Sequence, residues 1–251
     1  DTSKIYDSKG GVIEYYGRKV RDSKPGGYGK ISLARGFELS SNTVLVQSVY
    51  DNYKNNPKQF VDRINSYGLN KPLGLPIKGE GKPVIPQPGT NRWSGVALPW
   101  MAFGYGLSVT PLQTLTLYNA VANDGVMVKP IFVSEIKEWN KTIKKYNTEV
   151  INPKICSQET LDKVQAVLEN VVKRGTGSKL YSKDFSMAGK TGTAQVNYKD
   201  KSKLYYASSF VGYFPADEPK YSCIIVVHKP NVAAGYYGAD VAGPVFKRIA
   251  Q

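Results

Sequence analysis

The helical and extended patterns of this sequence lie in different parts of the chain. Apolar residues recur mainly at helical spacing between residues 30 and 125 and again after 157, whereas segments 187–196, 205–214 and 222–228 are typical of strands. The connections between these strands are short, so we expect antiparallel neighbours, because a parallel pair needs a crossover of about a dozen residues or more. Helices and strands separated in this way favour an α+β fold over a repeating βαβ fold.

Capping and turn residues predict one domain, 1–251, with three parts after an irregular or hairpin-rich start. About 30–125 is predicted as a mainly helical lobe with a long proline-rich loop at 70–100, and about 126–156 as a hairpin turning at Trp139-Asn140-Lys141. About 157–251 is predicted as a helix, a three-strand meander and a closing helix. The expected helices begin after Ser32, at Pro57, after Thr110, after Ser157 and at Val241, and Gly68, Asp124-Gly125 and Gly175 are the expected stops.

The charge of the chain is strongly positive: 34 Lys and Arg against 20 Asp and Glu give a net charge of +14 over 251 residues. Such a charge fits a nucleic acid, an anionic membrane surface or another anionic polymer, and it also fits an ordinary solvated lysine surface. Only 7 of the cations are arginines, the side chain that most often recognises bases and phosphates, which argues against nucleic-acid binding. Two cysteines and one histidine show no zinc-ligand spacing, and no apolar run approaches the ~20 residues of a membrane span.

The segment Ala188–Ala194 (Ala-Gly-Lys-Thr-Gly-Thr-Ala) carries a lysine and two hydroxyls among small residues. A phosphate-binding loop would need a glycine at position 184, where this sequence has Asp184. It would also need a following helix, whereas Thr193 and Val196 favour a strand. The alternatives are a plain glycine-rich strand end or a strand whose clear edge pairs with an extended peptide. In the second case Lys190, Thr191 and Thr193 would supply positive charge and hydroxyl donors for a carboxylate.

The segment Ser40-Ser41-Asn42 is poor helix interior, because these side chains compete for backbone partners. Residues two apart on a helix point about 200° apart, so Ser40 and Asn42 can serve one site only if the helix breaks there. Alone, Ser-x-Asn has almost no specificity.

Taken together and in this order, the two segments resemble the second and third motifs of β-lactamases and penicillin-binding proteins. Residues 103–113 (Phe-Gly-Tyr-Gly-Leu-Ser-Val-Thr-Pro-Leu-Gln) resemble a stretch of class B penicillin-binding proteins, as do Gly175-Thr176-Gly177 and Gly235-Tyr236-Tyr237-Gly238. The resemblance covers nearly the whole chain and is nearer to the cell-division (FtsI) branch than to the elongation branch. It implies a penicillin-binding-protein and serine β-lactamase-like fold, with an antiparallel sheet flanked by helices and a helical lobe.

The resemblance also implies an activity and a set of roles. A D,D-transpeptidase cross-links peptidoglycan stem peptides that end in D-Ala-D-Ala and is acylated by β-lactams, with no metal or other cofactor. By this resemblance Ser40, Asn42 and Lys190 would be catalytic, Thr191, Gly192 and Thr193 would bind the substrate, and Tyr236 and Tyr237 would wall the pocket. The family further implies an extracytoplasmic location, an N-terminal membrane anchor and partners among the division-machinery membrane proteins.

One departure concerns the family's first motif, Ser-x-x-Lys, which carries the nucleophile and precedes the second motif. The only instance here is Ser134-Glu135-Ile136-Lys137, which follows Ser40 and places Ser and Lys on opposite faces of a predicted strand. We therefore expect the C-terminal portion of a transpeptidase domain that lacks its nucleophile and is inactive alone. A non-catalytic peptide- or lactam-binding homologue and a basic nucleic-acid-binding domain are the alternatives. The transpeptidase hypothesis requires the Ser40 hydroxyl and the Lys190 ammonium to meet at a cleft that Asn42 also faces.

Overall fold

The computed structural model of the protein describes residues 1–197, 200 and 202–251 and has an α+β fold, as predicted. Its strands are β1 (Ile5–Asp7), β2 (Val12–Tyr15), β3 (Arg18–Arg21), β4 (Lys30–Ser32), β5 (Met127–Val128), β6 (Glu135–Glu138), β7 (Lys141–Lys145), β8 (Val150–Asn152), β9 (Ala188–Val196), β10 (Tyr205–Phe214) and β11 (Tyr221–His228). Its α-helices are α1 (Leu33–Glu38), α2 (Asn42–Tyr53), α3 (Pro57–Ser66), α4 (Ala97–Met101), α5 (Pro111–Ala122), α6 (Gln158–Arg174), α7 (Gly238–Val241) and α8 (Gly243–Ala250).

A three-stranded antiparallel sheet of order β11-β10-β9 forms the centre, which confirms the predicted meander. Side chains of β10 alternate between two cores, as a pleated strand requires. Tyr213 packs against α5 and α6 on one face, whereas Phe210 and Phe214 pack around Phe246 of α8 on the other. Strand β9 is therefore an edge strand between two helical layers.

The helix starts predicted after Ser32, Thr110 and Ser157 are confirmed by their capping bonds, and α3 begins at Pro57 as predicted. The side chains of Ser32, Thr110 and Ser157 accept a hydrogen bond from the first turn of α1, α5 and α6 respectively, and Thr110 forms a capping box with Gln113. The predicted break between α1 and α2 is also present: α1 ends at Glu38, and α2 begins at Asn42 with Ser41 as its N-cap.

Three local predictions need correction. The predicted loop 70–100 ends in the short helix α4. The sequence did not predict this helix because Pro99 lies within it, although proline is tolerated in the first turn of a helix. The long strands expected on either side of Trp139 are four short ones, paired β5–β8 and β6–β7, and Pro130, which lacks an N–H, lies in the gap. The closing helix expected to begin at Val241 is two helices, because α7 ends at Val241 and α8 begins at Gly243. The predicted stop at Gly175 is confirmed, with an extended backbone there (φ −99°).

The N-terminal 32 residues form the hairpin β2–β3 and the pair β1–β4 around one 3-10 turn, Lys9–Gly11. Gly11 and Gly27 touch backbone to backbone, since a Cβ on Gly11 would lie 2.7 Å from the Gly27 nitrogen. Along the described residues we find no helix that is long and apolar enough to cross a bilayer.

Candidate active site

A cleft of about 600 Å³ lies between β9 and the turn that joins α1 to α2. The predicted residues that line it are Ser40, Asn42, Thr191, Thr193, Tyr236 and Tyr237; other lining residues are Ser23, Lys24, Tyr105, Thr176, Lys179, Gln195, Tyr206 and 238–240. The two motifs, 150 positions apart in sequence, therefore share one cavity.

Ser40 and Lys190 meet directly. The Lys190 ammonium donates a hydrogen bond of 2.6 Å to the Ser40 hydroxyl and a second one, of 3.1 Å, to the Thr191 carbonyl. Ser40 has a left-handed backbone (φ 55°), which is uncommon for a residue other than glycine and interrupts the helix. The contact that the sequence analysis required is thus present, at normal hydrogen-bond length.

The turn that carries Ser40 is held by Asp22, at the end of the β2–β3 hairpin. Both Asp22 carboxylate oxygens accept hydrogen bonds, from the hydroxyls of Ser41 and Thr43 and from the Thr43 backbone N–H, at 2.9–3.1 Å. Asn42 adds a bond of 2.8 Å from its amide to the Arg21 carbonyl. These bonds hold the start of α2 from outside the helix. Ser41 is fully buried, so the middle serine of the motif has a structural role.

A second carboxylate, that of Glu38, holds the other side of the turn. Glu38 is fully buried and pairs with Arg35 at 2.7 Å and with Arg174, at the end of α6, at 2.8 Å. The Glu38 carbonyl also accepts the Thr176 N–H at 3.0 Å. A Cβ on Gly175 would collide with this same carbonyl, which explains the glycine.

The Glu38–Thr176 bond extends to β9, because the hydroxyls of Thr176 and Thr191 lie 2.8 Å apart. The end of α6 therefore connects the Ser40 turn to the strand of Lys190 by a route separate from the Ser40–Lys190 bond itself.

The Lys190 side chain runs beneath the cleft, with its ammonium 5.7 Å from the centre of the Phe37 ring. Burial lowers the pKa of Lys190 from 10.5 to about 8. A lysine with such a pKa is mostly protonated at neutral pH and yet can exchange a proton with a hydroxyl at 2.6 Å.

The outer edge of β9 faces the cleft. The Gln195 N–H points away from β10, because it donates to the Tyr105 hydroxyl at 3.0 Å. Backbone groups alternate along a strand, so the N–H groups of Thr191 and Thr193 point to the same outer side. This edge presents main-chain donors and acceptors to an extended ligand.

The opposite rim of the cleft is formed by residues 236–240. The Gly238 N–H donates to the Thr193 hydroxyl at 3.1 Å, and a Cβ on Gly238 would come within 2.6 Å of the Gly192 carbonyl oxygen. Gly238 must therefore be a glycine for residues 236–240 to approach the sheet. Gly192 does not line the cleft, and a Cβ on it would lie 2.5 Å from the Ser209 hydroxyl oxygen. Tyr236 stacks between Tyr206 and Tyr237, with ring centres 4.2 and 4.5 Å away.

Comparison with known proteins agrees with this arrangement. The family model described as "Penicillin binding protein transpeptidase domain" matches residues 1–251. This chain belongs to that family. It is 30% identical to Stage V sporulation protein D of Bacillus subtilis over 98% of its own length and 31% identical to the peptidoglycan D,D-transpeptidase FtsI of Escherichia coli K12 over 75%. It spans only 37% and 30% of those two relatives.

Solved structures of the same kind superpose closely on the chain. Apo penicillin-binding protein 3 from Mycobacterium tuberculosis matches with a TM-score of 0.82 and 28% identity, over 99% of this chain and 56% of that one. Its complex with aztreonam matches with the same TM-score and 27% identity. The penicillin-binding-protein transpeptidase fold that the sequence implied is therefore confirmed.

Within this transpeptidase domain, the lone Ser-x-x-Lys does not form a site. Ser134 and Lys137 are exposed on the β6–β7 hairpin, away from the residues that line the cleft, and the Lys137 ammonium pairs with Glu135 at 2.6 Å. Among the described residues, moreover, no three His, Cys, Asp or Glu side chains are grouped so that they could hold a metal ion.

Sequence reasoning missed the residues that support the transpeptidase cleft. Asp22 and Glu38 sit in no motif, although Arg35 three residues before Glu38 is the spacing of a helical ion pair. Tyr105 and Thr176 lay within segments that resemble the family, but nothing in the sequence showed that they contact β9. Lys24 lines the cleft from a turn that the sequence marked only as irregular.

Proposed function

We propose that this domain serves peptidoglycan D,D-transpeptidation, the formation of cross-links between stem peptides. The observation that carries the proposal is the 2.6 Å bond between Ser40 and Lys190 at the base of a cleft whose wall is a strand edge. A strand edge suits an extended peptide, and a hydroxyl bonded to a lysine of lowered pKa suits proton transfer.

The reaction is an acyl transfer in two steps. A serine of the family's Ser-x-x-Lys motif, supplied from outside these residues, would attack the penultimate D-Ala carbonyl, form an ester and release the terminal D-Ala as its amine. An amine on another strand would then attack the ester and release the serine. Ser40, bonded to Lys190, would relay the proton of the attacking serine hydroxyl to the leaving amine, and in the second step the proton of the attacking amine would return to the serine oxygen. Asn42 would hold the substrate amide. Division into two steps lowers the barrier of each.

The strand edge would orient the donor peptide. The hydroxyls of Thr191 and Thr193 would bind its terminal carboxylate, with Lys190 adding positive potential. The Thr193 N–H would be one oxyanion donor, a contact worth ~2.7–4 kcal/mol in other acyl-transfer enzymes. Gly192 would keep the strand free of a side chain between the two threonines. Gly238 would let residues 236–240 approach the sheet, with Tyr236 and Tyr237 as the wall of the cleft.

In the whole protein we infer a septal role, with β-lactams as inhibitors. The FtsI relatives and the aztreonam complex of the M. tuberculosis neighbour support this inference. The inferred role includes an extracytoplasmic location, a membrane anchor outside these residues and partners in the division machinery. It does not include a nucleic-acid ligand. A peptide- or lactam-binding homologue without catalysis is the second candidate, since the Ser-x-x-Lys of these residues lies on an exposed hairpin.

The test is binding of a peptide that ends in D-Ala-D-Ala, measured by calorimetry, against the same peptide with its terminal carboxylate amidated. We expect the acid to bind better, and Lys190→Met to abolish the preference. Lys145→Met, on the exposed strand β7, removes the same charge outside the cleft and is the control. Equal binding of acid and amide would refute the proposal. A fluorescent penicillin that labels Ser40 or Ser134 of this chain covalently would refute the assignment of the nucleophile to a segment outside it.

A further inference from the structure

Lys24 lines the cleft, and the roles proposed above do not use it. It lines the same cavity as Ser40, Asn42, Thr191 and Thr193. The turn that carries it, residues 22–27, is exposed at its surface but anchored at both ends.

The first anchor consists of the hydrogen bonds that hold the start of α2. Asp22, two residues before Lys24, accepts from the three groups that fix the start of α2. The Asn42 amide donates to the Arg21 carbonyl. The position of Lys24 relative to Ser40 and Asn42 is therefore fixed by a short, rigid connection. A preorganised wall of this kind is what a specific contact requires.

The second anchor follows Lys24. The Gly27 N–H donates to the Lys24 carbonyl at 3.0 Å, and the Tyr28 N–H donates to the buried Ser8 hydroxyl at 2.7 Å. The Lys24 ammonium itself lies 5.3 Å from the centre of the Tyr28 ring, a cation–π contact that orients the side chain without neutralising its charge. The Tyr28 hydroxyl in turn reaches the Leu39 carbonyl, next to Ser40, at 3.4 Å.

The charges of the described cleft residues leave Lys24 open to an anion. Lys179 is paired with Asp240 at 2.8 Å, and Lys190 is bonded to Ser40. Asp240 is the one carboxylate among the lining residues, and its partner is Lys179 rather than Lys24. The cleft thus offers two positions of positive potential, Lys190 on β9 and Lys24 on the turn between β3 and β4.

We propose that Lys24 is a specificity residue that binds a second carboxylate of the donor peptide, one carried upstream of D-Ala-D-Ala. The terminal carboxylate would be held at β9 and the upstream one at Lys24. This inference rests on the proposed function, because it assumes that an extended peptide occupies the β9 edge.

The experiment compares two peptides that end in D-Ala-D-Ala and differ only by an upstream Glu or Gln. We expect the protein to bind the Glu peptide about 2- to 5-fold more tightly, the size of one partly solvated ion pair. Lys24→Gln should bring the ratio of the two affinities close to one, and Lys24→Glu should invert it. Lys19→Gln, an exposed lysine of β3 outside the cleft, should leave the ratio unchanged, and added salt should reduce it in the wild type.

A ratio that is the same in the wild type and in Lys24→Gln would overturn the role of Lys24 and leave the proposed function intact. A ratio lowered equally by Lys19→Gln would show a general effect of net charge and would also overturn it. If neither peptide binds more tightly than its terminally amidated form, the proposed function fails, and this inference fails with it.

Discussion

Among the turns that place a residue other than glycine in the left-handed region, those at Ser40 and at Trp139-Asn140 differ in what surrounds them. Ser40 (φ 55°) lies between α1 and α2, where the buried Glu38 and the hydrogen-bonded Asp22 hold the chain. Trp139 (φ 49°) and Asn140 (φ 66°) form the tip of the β6–β7 hairpin, and the Trp139 side chain is 96% exposed. At the hairpin two left-handed residues are the usual solution to a two-residue turn. At Ser40 the conformation is imposed from outside the turn, and that feature distinguishes a functional site from an ordinary turn.

Glu38→Ala gives the largest expected effect. It leaves the guanidinium groups of Arg35 and Arg174 facing an apolar gap, and we expect the free energy of unfolding to fall by about 3 kcal/mol, the low end for a broken buried pair because both arginines are partly solvated. Glu135→Ala removes an ion pair of similar length on the hairpin and should cost less than ~0.5 kcal/mol. Urea titration measures both, and equal losses would remove the distinction between the two turns.

Asp22→Ala is next. It removes the acceptor for the Thr43 N–H and for two hydroxyls, and we expect a loss of about 2 kcal/mol, with Asp22→Asn losing less because one oxygen remains. The matched change on the hairpin is Thr142→Val, which removes an exposed bond to Glu135 and should be nearly neutral. If Asp22→Ala is as mild as Thr142→Val in urea titration, the Ser40 turn is held by something other than Asp22.

The third prediction concerns pH and Lys190. Below pH 8 the lysine is protonated in both the folded and the unfolded states, whereas between about 8 and 10.5 the folded state releases a proton that the unfolded state retains. Folding is therefore favoured as pH rises through this interval. The free energy of unfolding of the wild type, relative to Lys190→Met, should rise by on the order of 3 kcal/mol over this interval. A difference that does not change with pH would show that Lys190 titrates at its ordinary value.

The smallest expected effects come from placing glycine at each turn. Glycine relieves a left-handed residue by up to ~1 kcal/mol, so Trp139→Gly should be neutral or slightly stabilising in urea. Ser40→Gly gains the same relief but loses the hydroxyl that accepts from Lys190, and it should destabilise by about 1 kcal/mol. If both variants are equally stabilised, the Ser40–Lys190 bond contributes nothing to the folded state.

Local signals in the sequence predicted the elements, and the two motifs predicted which residues meet. Helix starts at Ser32, Thr110 and Ser157 were predictable because an N-cap acts within its own first turn. The break at Ser40 was predictable for the same reason, since Ser-Ser-Asn disfavours a continuous helix. The partners that hold the break were not, because Asp22 and Arg174 contact it only after distant parts of the chain have packed together.

The position of a glycine can likewise be predicted while its structural reason is not. Gly175 was correctly expected at the end of α6, but the sequence did not show why a glycine is needed there. The residue is a glycine because the Glu38 carbonyl occupies the space of its side chain. The roles assigned to Ser40, Asn42, Lys190 and the β9 residues came from the family resemblance, and those roles stay predictions until ligand binding is measured.

The outer edge of β9 has a consequence for how relatives of this protein can diverge. Outward-pointing main-chain groups recur at Thr191, Thr193 and Gln195, about 6.8 Å apart in an antiparallel strand, and they set a fixed spacing along the cleft. A ligand that pairs with this edge must itself be extended and have the same spacing between its main-chain groups. No single side-chain replacement can change this spacing, so the edge can persist while surrounding side chains drift. Discrimination between ligands then falls to the side chains on the facing walls.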